Sequence, residues 1–295
     1  MESNPLSRFL PILFFAVLLG ETINAQVNVQ AHAVTYHAVR LPAPSFAGKI
    51  SGPTGKTAQL PLKQISATPN GITDDQDWFD NNHLTKPFYQ INAYPFNNAD
   101  ELPSIVPTEV EGAPLKNAWW GKSKIYCCYA DSILLIADSA THNVEHIYDL
   151  GLWCMNKVHK KEDEWLIRQE IQWAVVVDTV LYVSNFHRTY AATSGNQNAY
   201  ITAINLKTDS VIWRTPPLKC NALTFEVDGD LVFCGYGFTM EPDFMYVLDR
   251  YNGTTVQKAF VKTGPDYIIR KDEKLFVRTY NTDYIFQITT NKLVH

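Results

Sequence analysis

The sequence predicts an all-β fold, a β-propeller of four-stranded blades, and three observations carry that expectation. Apolar runs rich in β-branched and aromatic residues, bounded by Gly, Pro, Asn or Asp, recur through the C-terminal half. These runs have a period: units opening at Asp131 (DSILLIAD), Asp178 (DTVLYVSN), Asp228 (DGDLVFCG) and Asp272 (DEKLFVRT) lie 47, 50 and 44 residues apart, the spacing of propeller blades. The same segments lack apolar residues at helical spacing, which sets a helical solenoid aside. Stacking such sheets around an axis buries both faces of each and limits exposed edges.

Taken in order, the chain opens with a weakly charged MESNPLSR, an apolar FLPILFFAVLLG and a small residue before Gln26. Residues 1–25 therefore read as a secretory signal peptide, too short in its apolar core to span a bilayer. The expected location is secreted or periplasmic, with no integral membrane segment after cleavage. About 270 residues remain, room for about six blades, five to seven, in one domain.

Residues 26–118 are irregular and hold most of the prolines, so one or two degenerate blades are expected there. The stretch 27–39 is the strand chosen to close the ring, because the chain ends mid-blade at TDYIFQITTNKLVH; 55–67 and 86–96 are weaker strands. Asp75, Asp77 and Asp80 lie in the most acidic stretch, ITDDQDWFDNN. It lacks the Gly and terminal Glu of an EF-hand loop and reads as a solvated loop.

Recognisable repeats fill 119–295. KIYCCYA is expected as an innermost strand because an acidic turn follows it, and GLWCMNKVHKKEDEWLIRQE as an exposed outer strand. His142 and His146 stand four apart across a turn and a strand, which does not suit a metal site. Between second and third strands two blades carry long connections, FHRTYAATSGNQN and YGFTMEPD, where others are short. Neighbouring enlarged loops on one rim would build the wall of a binding pocket. The groups they could present are His187, Arg188, Tyr190, Tyr236, Phe238, Glu241 and Asp243. Asn252-Gly253-Thr254 is a formal glycosylation acceptor that also reads as a tight turn.

Five cysteines, Cys127, Cys128, Cys154, Cys220 and Cys234, cannot all pair within one chain. The net charge of −5 with 19% charged residues gives no electrostatic footprint for nucleic acid or an anionic membrane.

At ITAINLKTDSVIW and MYVLDRYNGTTVQ the chain resembles the repeats of quinoprotein-type propellers, also called PQQ-like or YVTN-like. Trp213 matches their terminal aromatic; Gln257 and Leu293 do not. The resemblance covers about the last 170 residues and implies architecture, not activity. Family members that hold the quinone need a calcium set of Glu, Asn and Asp and, in alcohol dehydrogenases, a bridge between neighbouring cysteines. Cys127-Cys128 is such a pair, but no acidic and amide cluster accompanies it, so no cofactor is expected.

Serine-nucleophile, zincin and phosphate-loop motifs are missing. The expected function is an exported, non-catalytic propeller that binds a protein, peptide or glycan at the channel mouth. The alternative is a propeller-type hydrolase or lyase with His187 as general base and Glu241 or Asp243 as acid.

Overall fold

The computed structural model describes residues 36–44, 55–90, 106–155 and 164–294. The expected signal peptide, and residues 27–35 of the proposed closing strand, lie outside them. In chain order come β1 (Val39–Arg40), β2 (Leu62–Pro69), helix α1 (Asp75–Asn81), β3 (Phe88–Gln90) and β4 (Glu109–Val110). Sheet one follows: β5 (Ala113–Trp120), β6 (Lys124–Tyr129), β7 (Ile133–Asp138) and β8 (Val144–Asp149). After helix α2 (Glu164–Ile167), sheet two holds β9 (Glu170–Val177), β10 (Val180–Phe186), β11 (Tyr200–Asn205) and β12 (Ser210–Arg214). Sheet three holds β13 (Glu226–Asp228), β14 (Leu231–Tyr236), β15 (Phe244–Asp249) and β16 (Thr255–Phe260). Sheet four begins with β17 (Pro265–Lys271), β18 (Lys274–Thr279) and β19 (Thr282–Ile288).

The sheets are antiparallel meanders packed face to face, as a propeller requires. Side chains of β14 alternate between two cores: Val232, Cys234 and Tyr236 join the cluster shared with sheet two, while Leu231 and Phe233 join the one shared with sheet four. That is period-two patterning with both faces buried. Among the described residues, sheets two, three and four are four-stranded, while sheet one is widened to seven strands by β3 and β4 beside β5 and by β1 beside β8.

The acidic markers acquire a physical meaning. The first residue of the two-residue hairpin between first and second strands has positive φ in three sheets: Asp178 (57°), Gly229 (57°) and Asp272 (55°). Asp and Gly tolerate that region, and such turns match strand twist. Sheet one breaks the phase. Its hairpin between β5 and β6 is the stretch 121–123, so KIYCCYA is an interior strand, flanked by β5 and β7, not an innermost one, and Asp131 lies between β6 and β7 at the opposite end. The misplacement arises because acidic turns follow both kinds of strand here.

Two more expectations change. The strand that completes sheet four is β2, with Ser66 opposite Ile285 and Ala67 opposite Tyr284, rather than the stretch 27–39. Val39 and Arg40 instead pair in parallel with β8 at the edge of sheet one. In the supposed outer strand after Leu150, the described residues form a 3-10 turn (Gly151–Trp153), α2 and the start of β9, and residues 156–163 lie outside those described. The acidic stretch is helix α1: Asp74 caps it by accepting from Gln76 N at 2.6 Å, and Asp75 and Asp77 favour its N-terminal end. Trp78 and Phe79 bury its inner face against Tyr267 of β17.

Trp213 shows what the terminal aromatic does. It reaches from the outer strand of sheet two to the RYNG turn of sheet three, donating from Nε1 to Arg250 O at 2.9 Å. Gly253 at that turn has φ 73°, and a Cβ there would stand 2.6 Å from Trp213. We expect Gly253→Ala to cost about 2 kcal/mol or more, from strain at positive φ plus displacement of the indole, read as a lower urea midpoint. An unchanged midpoint would mean that the turn is not packed against Trp213. At the non-matching position, Gln257 exchanges two 2.8 Å hydrogen bonds with the backbone of Leu62, a polar link between sheets three and four.

Candidate functional site

The end of the molecule that carries the links between sheets also carries the connections between second and third strands. In sheets two and three those connections are the stretches 187–199 and 237–243, whereas sheet four has only Tyr280 and Asn281. The two long loops are built internally before they touch. Asn198 staples the first at its base, accepting from His187 N at 2.8 Å and donating to His187 O at 3.1 Å. A 3-10 turn over Ala191–Ser194 follows, capped by Gly195 in the left-handed region. At the second loop, Asn221 from the preceding link holds both backbone groups of Gly237, at 3.1 and 2.7 Å.

The loops then interlock. Glu241 Oε1 accepts from Ala191 N at 2.8 Å, and its other oxygen accepts from the Tyr236 hydroxyl. Tyr190 and Phe238 meet edge to face at 5.1 Å between centroids. Of the seven residues singled out in the sequence, Tyr190, Tyr236, Phe238 and Glu241 thus form one contact. Arg188 turns away, donating to Gln172 Oε1 on β9 at 3.0 Å.

His187 is only 2% exposed. Its Nε2 lies 2.7 Å from Ser194 Oγ, and Ala191 O lies 3.1 Å from the same hydroxyl. Burial pulls the His187 pKa down to about 4, against the opposing pull of Glu241. Asp243 moves the other way: burial, then the neighbouring Glu241, raises it to about 6, and its Oδ1 is buried without a hydrogen-bond partner.

His187 is bonded to Ser194, and Glu241 to Ala191 and Tyr236. Ser194, Asn198, Asn221 and Gln172 do this holding work, and no motif marks them in the sequence.

A buried neutral histidine has a signature in pH. Its folded pKa lies below the unfolded value near 6.5, so the unfolded chain takes the proton first and this contribution to stability falls between about pH 6.5 and 4. Asp243 contributes with opposite sign, so a variant is needed to isolate the histidine. We expect His187→Asn to flatten the fall, by roughly 2–3 kcal/mol over that window, in urea unfolding at several pH values. Parallel wild-type and variant curves would contradict the burial of a neutral ring.

Both long loops carry an exposed apolar side chain. Tyr190 on the first loop is 45% exposed and Met240 on the second is 95% exposed; Trp165 on α2, in the link before sheet two, is exposed as well. Among the described residues no group of three or more His, Cys, Asp or Glu could hold a metal. His146 Nδ1 is instead 3.1 Å from Tyr148 OH. Cys127 and Cys128 are unbridged and point to opposite faces of sheet one, in separate cores. That alternation follows from their adjacency in an extended strand, and it does not present the pair beside a single ligand. No helix among the described residues is long and apolar enough to cross a membrane.

No family model matches the chain, and no curated relative matches it either. Similar solved structures include the computationally designed Ika4 protein, at 11% identity and TM-score 0.39, covering 63% of this chain and 99% of that one. BamB from Moraxella catarrhalis is similar at 11% identity and TM-score 0.33, over 57% of this chain and 56% of that one. Sqt1 from Saccharomyces cerevisiae is similar at 9% identity and TM-score 0.40, over 60% of this chain and 46% of that one. This chain thus spans about half the length of the last two. The assignment of a β-propeller arrangement rests on the sheets and their packing described above.

Proposed function

We propose that this protein is an exported, non-catalytic propeller of quinoprotein-type repeats that binds a protein, peptide or glycan on the face formed by its two enlarged loops. One observation carries the reading: the loops of neighbouring sheets are joined, through Tyr190–Phe238 and Ala191–Glu241, into a single ledge with apolar side chains left exposed on it. A pre-built ledge spends little ordering entropy on binding, and exposed Trp, Tyr and Met are the side chains that anchor interfaces. The acidic net charge argues against nucleic acid as the ligand.

The hydrolase or lyase alternative draws less support, since His187 and Glu241 are occupied in holding the loops. The test is a comparison of binding to immobilised wild-type protein and to Tyr190→Ala/Met240→Ser in the medium or periplasmic extract of the source cells. We expect a component that binds the wild type, with affinity at least tenfold weaker for the variant once purified, as anchor truncation usually gives. Equal affinity for a variant with an unchanged melting curve would refute this face as the binding surface.

A further inference from the structure

We propose that Cys220 and Cys234 are a disulfide-forming pair, a covalent modification site that ties the link between sheets two and three to the second strand of sheet three. The reading is independent of the proposed ligand face. Both residues are fully buried thiols in this structure. The backbones beside them are already hydrogen-bonded: Asn221 N donates to Gly235 O at 3.0 Å, and Ala222 N reaches the same oxygen at 3.4 Å. Cys220 immediately precedes Asn221 and Cys234 immediately precedes Gly235, so the two cysteines flank this contact. Both side chains enter the same buried cluster between sheets two and three, and burial together with the neighbouring Cys220 thiol holds the Cys234 thiol well above its usual range.

Cys128 and Cys154 also share a core and act on one another, but no backbone hydrogen bond joins the residues that follow them, as one does beside Cys220 and Cys234. The Cys128 thiol is directed at Ile171 O, 4.0 Å away, and that of Cys154 at Asp131 O, 3.7 Å away. Cys127 lies on the opposite face of its strand from Cys128. One pair and three single thiols also resolve the odd count. A bridge would act at the base of the second enlarged loop, because Asn221 next to Cys220 grips Gly237, where that loop begins.

Both thiols are buried, so the bridge forms during folding rather than on the folded surface. The oxidant is a small disulfide or a disulfide-bearing oxidoreductase of an oxidising compartment. With glutathione disulfide, one cysteine thiolate attacks and releases one glutathione thiolate. The second cysteine then attacks the mixed disulfide and releases the other. The protein loses two electrons and two protons, and both glutathione molecules leave reduced.

The full chain, denatured and reduced, would be refolded in reduced and oxidised glutathione, quenched in acid and alkylated under denaturing conditions. Trypsin releases both cysteines within one peptide, 220–250, because no Lys or Arg falls between Lys219 and Arg250. We expect that peptide to be lighter by two hydrogens and unalkylated, with Cys127, Cys128 and Cys154 alkylated. Cys220→Ser should restore alkylation of Cys234, and Cys127→Ser should leave the 220–250 bridge intact. Two alkyl groups on the wild-type peptide at every glutathione ratio, or a bridge joining either cysteine to Cys127, Cys128 or Cys154, would overturn the proposal.

Discussion

Trp173→Ala is expected to lower the stability of this protein by about 4 kcal/mol, a large part of the roughly 5–15 kcal/mol available to a typical domain. Trp173 lies on the innermost strand of sheet two, stacked on Trp119 of sheet one at 5.1 Å, and its Nε1 donates to Phe225 O of the next unit at 3.1 Å. It is one member of a series. Trp119 Nε1 donates in the same sense to Ala174 O at 3.0 Å, and Thr224 exchanges two 2.9 Å hydrogen bonds with the Ile268 backbone of sheet four. Sheets one, two and three are thus each fastened to the following one, through β5, β9 and the segment leading into β13. Removing the indole opens a cavity between sheets and leaves the Phe225 carbonyl unpaired. Thermal and urea unfolding measure the loss. Trp173→Phe separates the contributions, since it keeps a ring for stacking and should cost only about 1–2 kcal/mol. A cost below 1 kcal/mol for Trp173→Ala would mean that the sheets are not fastened at this point.

Arg278→Ala should have the second largest effect, about 2–3 kcal/mol, with local loss of helix α1. The guanidinium is buried on β18 and paired with Asp75 at 2.7 Å and Asp283 at 3.5 Å. It also donates to Thr73 O and lies 5.9 Å from the Trp78 ring centroid. One side chain therefore fixes the capping loop, the first turn and the buried aromatic of α1. Both carboxylates are partly exposed, which moderates the cost of leaving them unpaired. Hydrogen exchange should show faster exchange across the stretch 74–83 in the variant, with β9 to β12 unchanged. Arg278→Met with Asp75→Asn should recover part of the loss, because no ionised Asp75 is then left without its cation.

The sequence already displayed the features that depend on local chemistry. Positive φ at Asp178 and Asp272 needs a residue that tolerates it, so the hairpins stand out as acidic punctuation. The long connections in sheets two and three are visible as breaks in strand patterning. The closing strand is different. Only Leu62 is buried in LKQISATP, because β2 is an outermost strand with most of its side chains outside the sheet stack, and alternation never develops. Helix α1 offers only the adjacent pair Trp78 and Phe79, too little for a helical period. At the candidate site, the aromatic and acidic loop residues could be picked out by type. Their partners Ser194, Asn198 and Asn221 could not, because a short polar side chain that staples a loop looks like any other loop residue until the chain is folded.

The whole arrangement depends on β2 joining the C-terminal strand, since that pairing makes the separated ends of the described chain one sheet. Ser66→Cys with Ile285→Cys tests it directly, because the two positions are opposite one another across β2 and β19 and paired strand positions are close enough to bridge. The expected result is a reducible cross-link between peptides carrying positions 66 and 285, formed under mild oxidation of the folded protein. A folded double variant in which both introduced cysteines are alkylated freely, with no such cross-link, would contradict the architecture.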